Sequence, residues 1–253
     1  MLWSVTALLV SHLAAGGLFV CAVLALTHEL PAGFLRFCAA SAAGLAFVAG
    51  LLEAGNAQWI WFGFALVSGG WYFALRRPSS TGKSATAVTA LAAAAAPILR
   101  ALTSVSDGHG LAVAGAISSS LLLGAVTVTM ILGHWYLVDT SLSIAPLKQG
   151  AQWLSIAVAL RWATVLLVLG YGGWEVLRIT RAADLILSTN GLFFLFRSLM
   201  GLAAPLMLSV LIWQTVKMRS TQSATGLLYV AMILILFGEL VSQFLLVRTG
   251  FPL

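Results

Sequence analysis

Long apolar stretches dominate the chain and recur at nearly regular intervals. The clearest one runs from Gly110 to Leu137 and ends in the cluster Gly133-His134-Trp135-Tyr136. An α-helix rises about 1.5 Å per residue, so about 20 apolar residues cross a hydrocarbon core of about 30 Å. A stretch this long and this apolar is therefore typical of a membrane-spanning helix rather than of a soluble core helix.

Turn-forming and charged residues divide the chain into eight such stretches. The breaks include Pro31, Gly55-Asn56, Arg77-Pro78 and Asp107-Gly108. The predicted spans are residues 2–27, 33–52, 57–75, 84–106, 110–138, 148–171, 189–216 and 223–247. The predicted fold class is therefore all-α: a polytopic transmembrane helical bundle of about eight spans, forming a single transmembrane domain over residues 1–253.

The composition agrees with a membrane protein. Charged residues make up 8% of the chain and hydrophobic residues 61%, whereas soluble domains carry roughly 25% charged residues. The formal net charge of +6 would favour nucleic acid as the partner of a soluble chain. Here the basic residues lie mainly in predicted loops, where topology and anionic lipid account for them. The expected partner is thus the lipid membrane, with no nucleic acid.

The cysteines do not suggest metal chemistry. Cys21 and Cys38 lie inside the first two predicted spans at similar depth, and we interpret them as buried free thiols, with a disulfide between them as the alternative. The sequence has no Cys-x-x-Cys pair and no His-Glu-x-x-His motif. This pattern argues against iron–sulfur or metal ligation by this chain.

The distribution of basic residues predicts the topology. Arg76, Arg77 and Lys83 lie in the third loop, and Lys217 and Arg219 lie in the seventh. The even-numbered loops are acidic or balanced. The positive-inside rule therefore places loops 3 and 7 in the cytoplasm. We expect a multi-pass protein of the inner (plasma) membrane with both termini outside the cytoplasm.

A few ionisable side chains fall inside the predicted spans. His12, Arg161, Arg197 and Glu239 lie about eight to ten residues from the outer ends of four different spans, at roughly the same depth. Gln243 lies one helical turn from Glu239 on the same face. Ionisable groups in a bilayer are costly and are usually functional, with partners nearby. These residues therefore form the candidate site.

The balance of charge in this set suggests a ligand. An Arg–Glu pair that only joins helices is one interpretation, but two arginines and a histidine face one glutamate. A buried excess of cation favours an anion or an acceptor-rich ligand such as a quinone carbonyl. Aromatic side chains at this level either clasp a flat ring or serve ordinary packing: Trp162, Phe193, Phe194 and Phe196.

His134 falls near the opposite, inner end of its span. It differs in depth from His12 by roughly 20 Å, so the two cannot ligate one iron, and this argues against haem b as a cofactor. The Trp135-Tyr136 pair that follows is typical of an interfacial aromatic belt. A second quinone-binding or proton-uptake position at His134 is the alternative.

The last predicted span resembles a known family. The sequence ILILFGELVSQFLL around Gly238-Glu239, followed by Thr249-Gly250-Phe251-Pro252-Leu253, resembles the final helix of NrfD-like and DMSO-reductase-anchor membrane subunits. The resemblance implies a bundle of eight to ten helices that binds quinone and pairs with iron–sulfur and catalytic subunits. It carries over Glu239 as a quinone or proton contact. Gln243 stands where the family often has Arg.

These observations together predict an integral membrane subunit of an electron-transfer complex, with quinone as its ligand and iron–sulfur or cytochrome subunits as partners. Glu239 and His12 are the expected proton-handling residues, and Arg161, Arg197, Gln243 and, separately, His134 the expected quinone-binding ones. No redox ligand set is visible, so the chain is not expected to be a complete enzyme. The alternatives are a transporter of a small anion and a structural subunit without a ligand of its own.

Overall fold

The computed structural model describes residues 1–53, 55–76, 80–104, 109–139, 142–177, 179 and 184–253. Within these ranges the chain forms helices and no strand. The predicted fold class, an all-α polytopic bundle of about eight spans, is confirmed.

The long helices follow one another with short connections. They are α1 (Leu2–Thr27), α2 (Ala32–Leu52), α3 (Gln58–Ala74), α4 (Ser80–Ser104), α5 (His109–Val138), α6 (Ala145–Val168), α7 (Thr189–Lys217) and α8 (Thr221–Thr249). Shorter helical turns cover Gly55–Ala57, Trp174–Val176 and Asp184–Leu187.

Seven helices in the described ranges are long and apolar enough to cross a membrane. The eighth, α3, has 17 residues and therefore spans about 25 Å, at the short end of the range for transmembrane helices. It packs against α2 and α4. Helix α3 thus lies at the side of the bundle and keeps large apolar side chains such as Leu66 exposed.

Some predicted boundaries differ from the observed ones by a few residues. Helix α6 begins at Ala145 rather than 148, because Pro146 occupies the first turn, where its fixed φ suits a helix start. Helix α4 begins at Ser80 rather than 84. Helix α8 continues to Thr249, where Gly250 adopts φ 78° and ends it. The predicted spans were therefore too short at these ends, because they were bounded by apolar residues and the helices continue into the flanking residues.

Helices α1 and α5 form the tightly packed centre of the bundle. Helix α1 contacts α2, α4, α5 and α8. At the crossing with α5, a Cβ added to Gly124 would lie 2.7 Å from the Cα of Gly16. Such close approach of backbones is typical of small residues between membrane helices, and it brings His12 of α1 near the serines of α5.

Helix α7 contains a π-helical turn at Leu199–Ala203, between the segments Thr189–Ser198 and Ala204–Lys217. Pro205 lies two residues after the end of this turn and has no N–H to donate to the carbonyl of Gly201. The sequence predicted a span that tolerates this proline but did not predict the π turn. Such turns occur frequently at functional sites, and this one directly follows the segment that carries Arg197.

Candidate functional site

Glu239 of α8 is fully buried and accepts hydrogen bonds from three helices. Its Oε1 accepts from Nε of Arg161 at 3.0 Å and from Nη2 of Arg197 at 2.7 Å. Its Oε2 accepts from Oγ of Ser119 at 2.5 Å and from Nη2 of Arg161 at 3.4 Å. A carboxylate offers about four acceptor positions, so these donors saturate Glu239 and stabilise its ionised form.

The depth estimate predicted that the charged groups of α6, α7 and α8 would meet. Their meeting is confirmed by the ion pairs of Arg161 and Arg197 with Glu239. Ser119 of α5 was missed, because a serine in an apolar span carries no charge signal. The run Ser118-Ser119-Ser120 in the middle of that span was the available sign of a polar face.

Arg161 is 1% exposed and makes contacts beyond Glu239. Its Nη1 donates to Oγ of Ser118 at 3.3 Å, and its Nη2 donates to Oγ of Ser242 at 2.6 Å and to the backbone oxygen of Leu253 at 3.4 Å. Ser242 also donates to that oxygen, so residues 250–253 fold back onto the bundle. A guanidinium has five N–H donors, and these contacts leave one hydrogen on Nη1 available.

His12 joins the cluster through Gln243, as the depth estimate predicted. The Nε2 of Gln243 lies 3.2 Å from Nδ1 of His12 and donates to Oγ of Ser119 at 3.3 Å. If the amide donates to Nδ1, a neutral imidazole carries its proton on Nε2. Within the described residues, Nε2 of His12 and Oε1 of Gln243 have no hydrogen-bond partner.

A cavity of about 190 Å³ lies beside this cluster, towards the end of the bundle where α1 begins and α8 ends. Because one water molecule takes about 30 Å³ in the liquid, a space of this volume corresponds to roughly six waters. Most lining side chains are apolar, including Leu8, Leu246 and Pro252. The polar ones are His12, Arg100, Ser119, Arg161, Ser242 and Gln243.

Glu239 and Arg197 do not line this cavity in the part of the chain that the structure describes. Glu239 lies behind Arg161 and Ser119 and accepts hydrogen bonds from both, and Arg197 in turn donates to Glu239. The ion-paired side chains of this cluster are two arginines and one carboxylate, and their formal charges sum to +1. Nε and Nη1 of Arg197 have no partner among the described residues, which leaves this excess charge only partly neutralised.

An ion pair lies at the side of the cavity nearest the end of the bundle. Nη2 of Arg100 on α4 donates to Oε1 of Glu53 at 2.8 Å, and both side chains are largely buried. Arg100 is part of the cavity wall. The carboxylate of Glu53, just beyond α2, therefore compensates the second arginine that borders this space.

His134 lies near the opposite end of α5, away from the cluster. It is exposed, and its Nδ1 lies 3.4 Å from the hydroxyl of Tyr229. The neighbouring Trp135 packs edge-on against Phe34 at a centroid distance of 5.8 Å. The structure thus brings His12 into the cluster and leaves His134 outside it, in contact with aromatic side chains.

The aromatic residues near the site do not surround the cavity. Phe193 packs on Phe244 at 5.0 Å, and Phe194 packs on Trp174 at 5.8 Å. Phe196 is 44% exposed, and within the described ranges no aromatic side chain lines the cavity. The interpretation that Trp162, Phe193, Phe194 and Phe196 clasp a ring in this cavity is therefore wrong, and helix packing accounts for the paired ones.

Comparison with other proteins adds no further candidate residue. Among the described residues, no three His, Cys, Asp or Glu side chains lie close enough together to hold a metal ion. No family model, no curated protein and no solved structure matches this chain.

Proposed function

We propose that this chain is an integral membrane subunit of an electron-transfer complex and that it binds quinone or quinol in the cavity beside Arg161. One observation carries the proposal. A buried arginine, a histidine and an amide border a mostly apolar cavity, and each retains an unused hydrogen-bonding position. Buried polar atoms of this kind favour a ligand that supplies their missing partners.

The chemistry of a quinone ring matches these positions. The ring is flat, uncharged and largely apolar, and it has two carbonyl oxygens that accept hydrogen bonds. The Nη1 hydrogen of Arg161 and the Nε2–H of His12 are suitable donors to one carbonyl oxygen. In the quinol form, Oγ of Ser119, which lines the cavity, is a suitable acceptor for a hydroxyl. A mostly apolar pocket with a few convergent polar groups is the usual form of a small-molecule site.

Glu239 acts in this proposal mainly through the residues it fixes. Ser119 lines the cavity and also donates to Oε2 of Glu239. The Ser119 hydroxyl can take a proton from a quinol hydroxyl while it passes its own proton to Oε2 of Glu239. Oxidation of the quinol releases two electrons, which pass to an iron–sulfur or cytochrome partner subunit, and two protons. One proton leaves through Ser119 to Glu239, and the other passes to water at the open end of the cavity.

The proposed orientation follows from the loops. Four basic side chains lie at the end of the bundle opposite the cavity: Arg76, Lys83, Lys217 and Arg219. By the positive-inside rule they belong in the cytoplasm. The cavity then lies in the outer half of an inner (plasma) membrane, with both termini outside the cytoplasm.

Purification from native membranes in mild detergent tests this proposal. We expect quinone to be extracted from the wild-type protein and redox subunits to co-isolate with it. Arg161→Leu should lose the quinone, whereas Arg248→Leu, at an exposed arginine of α8, should retain it. Ser119→Ala keeps every charge and should also lower the quinone content. Equal quinone content in the wild type and in a correctly assembled Arg161→Leu variant would contradict the proposal.

A transporter of a small anion is the second candidate, favoured by the excess positive charge of the cluster. It predicts that an anion, rather than a quinone, stabilises the purified protein and that Arg161→Leu abolishes this effect. The mostly apolar wall of the cavity favours the quinone, since an anion would be desolvated there with few partners.

A further inference from the structure

An apolar groove lies immediately beyond the cavity, towards the middle of the bundle. Its volume is about 230 Å³, and α1, α4 and α5 form its walls together with Trp153 of α6. Among the described residues that line it, only Ser120 and Trp153 have polar side-chain atoms. The groove is therefore much less polar than the cavity.

The sequence of α4 explains why this space is open. Ala93 and Ala94 belong to the run Ala92–Ala96 and line the groove with single methyl groups. Pro97 follows on the same helix and cannot donate a hydrogen bond to the carbonyl of Ala93. Small side chains before a proline thus leave a gap between α4 and α1 that larger residues would fill.

The groove and the cavity adjoin each other along the same helices. Pro97 lies in the wall of both. On α1, His12 lines the cavity, and Gly16 and Phe19 line the groove. His12 and Gly16 are four residues apart and therefore lie on one face of α1. The helical rise between them is about 6 Å, so the polar cavity and the apolar groove follow one another along this face.

The groove opens sideways rather than at the end of the bundle. Ile117 in its wall is 38% exposed, and it lies well inside the apolar span of α5. In a membrane, this side of the bundle faces lipid acyl chains. A molecule in the cavity could therefore extend a chain through the groove into the bilayer.

We infer that the groove holds the isoprenoid tail of the ligand whose ring occupies the cavity. The inference rests on the proposed quinone function and specifies its substrate class: a long-chain membrane quinone that enters from the lipid, rather than a small water-soluble molecule. The polar cavity takes the ring, and the apolar groove takes the first part of the tail.

The groove contributes to binding mainly because it leaves room for the tail. A tail gains little free energy on leaving lipid for the groove, because acyl chains are as apolar as the groove itself. A side chain that fills the groove should consequently exclude tailed quinones by steric overlap. The same side chain should leave a ring without a tail unaffected.

Matched substitutions on α4 test this inference. Ala94 lines the groove, whereas the adjacent Ala95 is exposed and lies outside it. Binding to the purified protein would be measured for a ubiquinone and a menaquinone that carry short isoprenoid tails, and for the same two rings without tails. Ala94→Trp should weaken binding of the tailed quinone about tenfold or more, which is about 1.4 kcal/mol. Ala95→Trp should leave it unchanged.

Each outcome separates the tail inference from the proposed function. If Ala94→Trp leaves tailed binding unchanged while Arg161→Leu weakens both ligands, the tail lies elsewhere and the inference is wrong, although the quinone site remains. The inference is equally wrong if Ala94→Trp weakens binding of tailed and tailless rings to the same extent. If neither ring binds the wild-type protein, the proposed function fails and the inference fails with it. Ile117→Trp provides a second variant in case Ala94→Trp does not fold.

Discussion

Gly201 of α7 and Gly238 of α8 cross with their backbones in contact beside the buried charges. A Cβ added to Gly201 would lie 2.6 Å from the Cα of Gly238 and 2.7 Å from Nη1 of Arg197. Glu239 directly follows this crossing in the chain, so the close approach of the two helices sets the distance between Arg197 and its carboxylate partner.

Gly238→Ala should separate α7 from α8 and weaken the ion pair of Arg197 with Glu239. Overpacking of a tight interface typically costs about 1–3 kcal/mol, so we expect a lower melting midpoint in detergent. Gly226 lies on the same helix with nothing within 4 Å of an added Cβ. Gly226→Ala should therefore stabilise the protein by up to about 1 kcal/mol. Equal melting midpoints for the two variants would show that the crossing is not tight.

Removal of the carboxylate should destabilise the cluster more than removal of one arginine. Glu239→Gln leaves Arg161 and Arg197 buried without an anion, and breaking a buried pair typically costs about 3–5 kcal/mol. Arg197→Leu leaves a neutral, doubly bonded Arg161–Glu239 pair and also removes two unpartnered nitrogens. We expect a clearly smaller loss.

Thermal unfolding of the purified variants measures this difference. Glu29→Gln, at an exposed glutamate, is the control for the change of residue type and should melt like the wild type. An Arg197→Leu variant that is as unstable as Glu239→Gln would show that both arginines are needed to balance the carboxylate.

Gly16→Ala should disturb the ligand site from outside it. An added Cβ would overlap the carbonyl oxygen of Ser120, so α1 must move away from α5 and carry His12 away from Ser119. We expect lower quinone affinity together with a lower melting midpoint. The neighbouring Gly17 has nothing within 4 Å of an added Cβ, so Gly17→Ala should leave the quinone affinity unchanged and should not lower the melting midpoint.

The two histidines at opposite ends of the bundle should differ in their effect on ligand binding. His12→Ala removes one hydrogen bond to the ring and should weaken quinone binding about two- to tenfold, since such a bond contributes about 0.5–1.5 kcal/mol. His134→Ala should leave the affinity unchanged, because His134 contacts Tyr229 and not the cavity. A loss of affinity in His134→Ala alone would support a second quinone position there.

Cys21 and Cys38 are buried free thiols, as their positions in apolar spans predicted. A maleimide reagent should therefore leave both unmodified in the folded protein and modify both after unfolding in denaturant. The mass of the protein before and after treatment measures this. Modification of either thiol under native conditions would show that solvent reaches the interface of α1 and α2.

The long apolar stretches were enough to predict the fold class and the approximate helix positions. Counting residues from the span ends also predicted that Arg161, Arg197 and Glu239 would meet, because lipid forces ionisable groups on different helices to pair. This estimate did not require the arrangement or the tilt of the helices. It required only that equal numbers of residues from the outer ends of the spans correspond to similar depths.

Other parts of the site carried no comparable signal. Ser119 and Ser242 contact the charges directly, yet hydroxyls are common in membrane helices and do not indicate which face they occupy. The return of residues 250–253 to Arg161 depends on the left-handed turn at Gly250 and not on hydropathy. The π turn of α7 likewise depends on hydrogen-bond register, which the pattern of apolar residues does not reveal.

The position of Glu239 on α8 has a consequence for how the chain enters the membrane. Helices α6 and α7 are synthesised before α8, so Arg161 and Arg197 enter the bilayer before their carboxylate partner exists. A central arginine costs about 2.5–3.5 kcal/mol on the insertion scale. The early spans must therefore remain near water or the insertion machinery until α8 arrives. Only the last helix allows the bundle to close, and a chain halted before it should be recognised as unassembled and degraded.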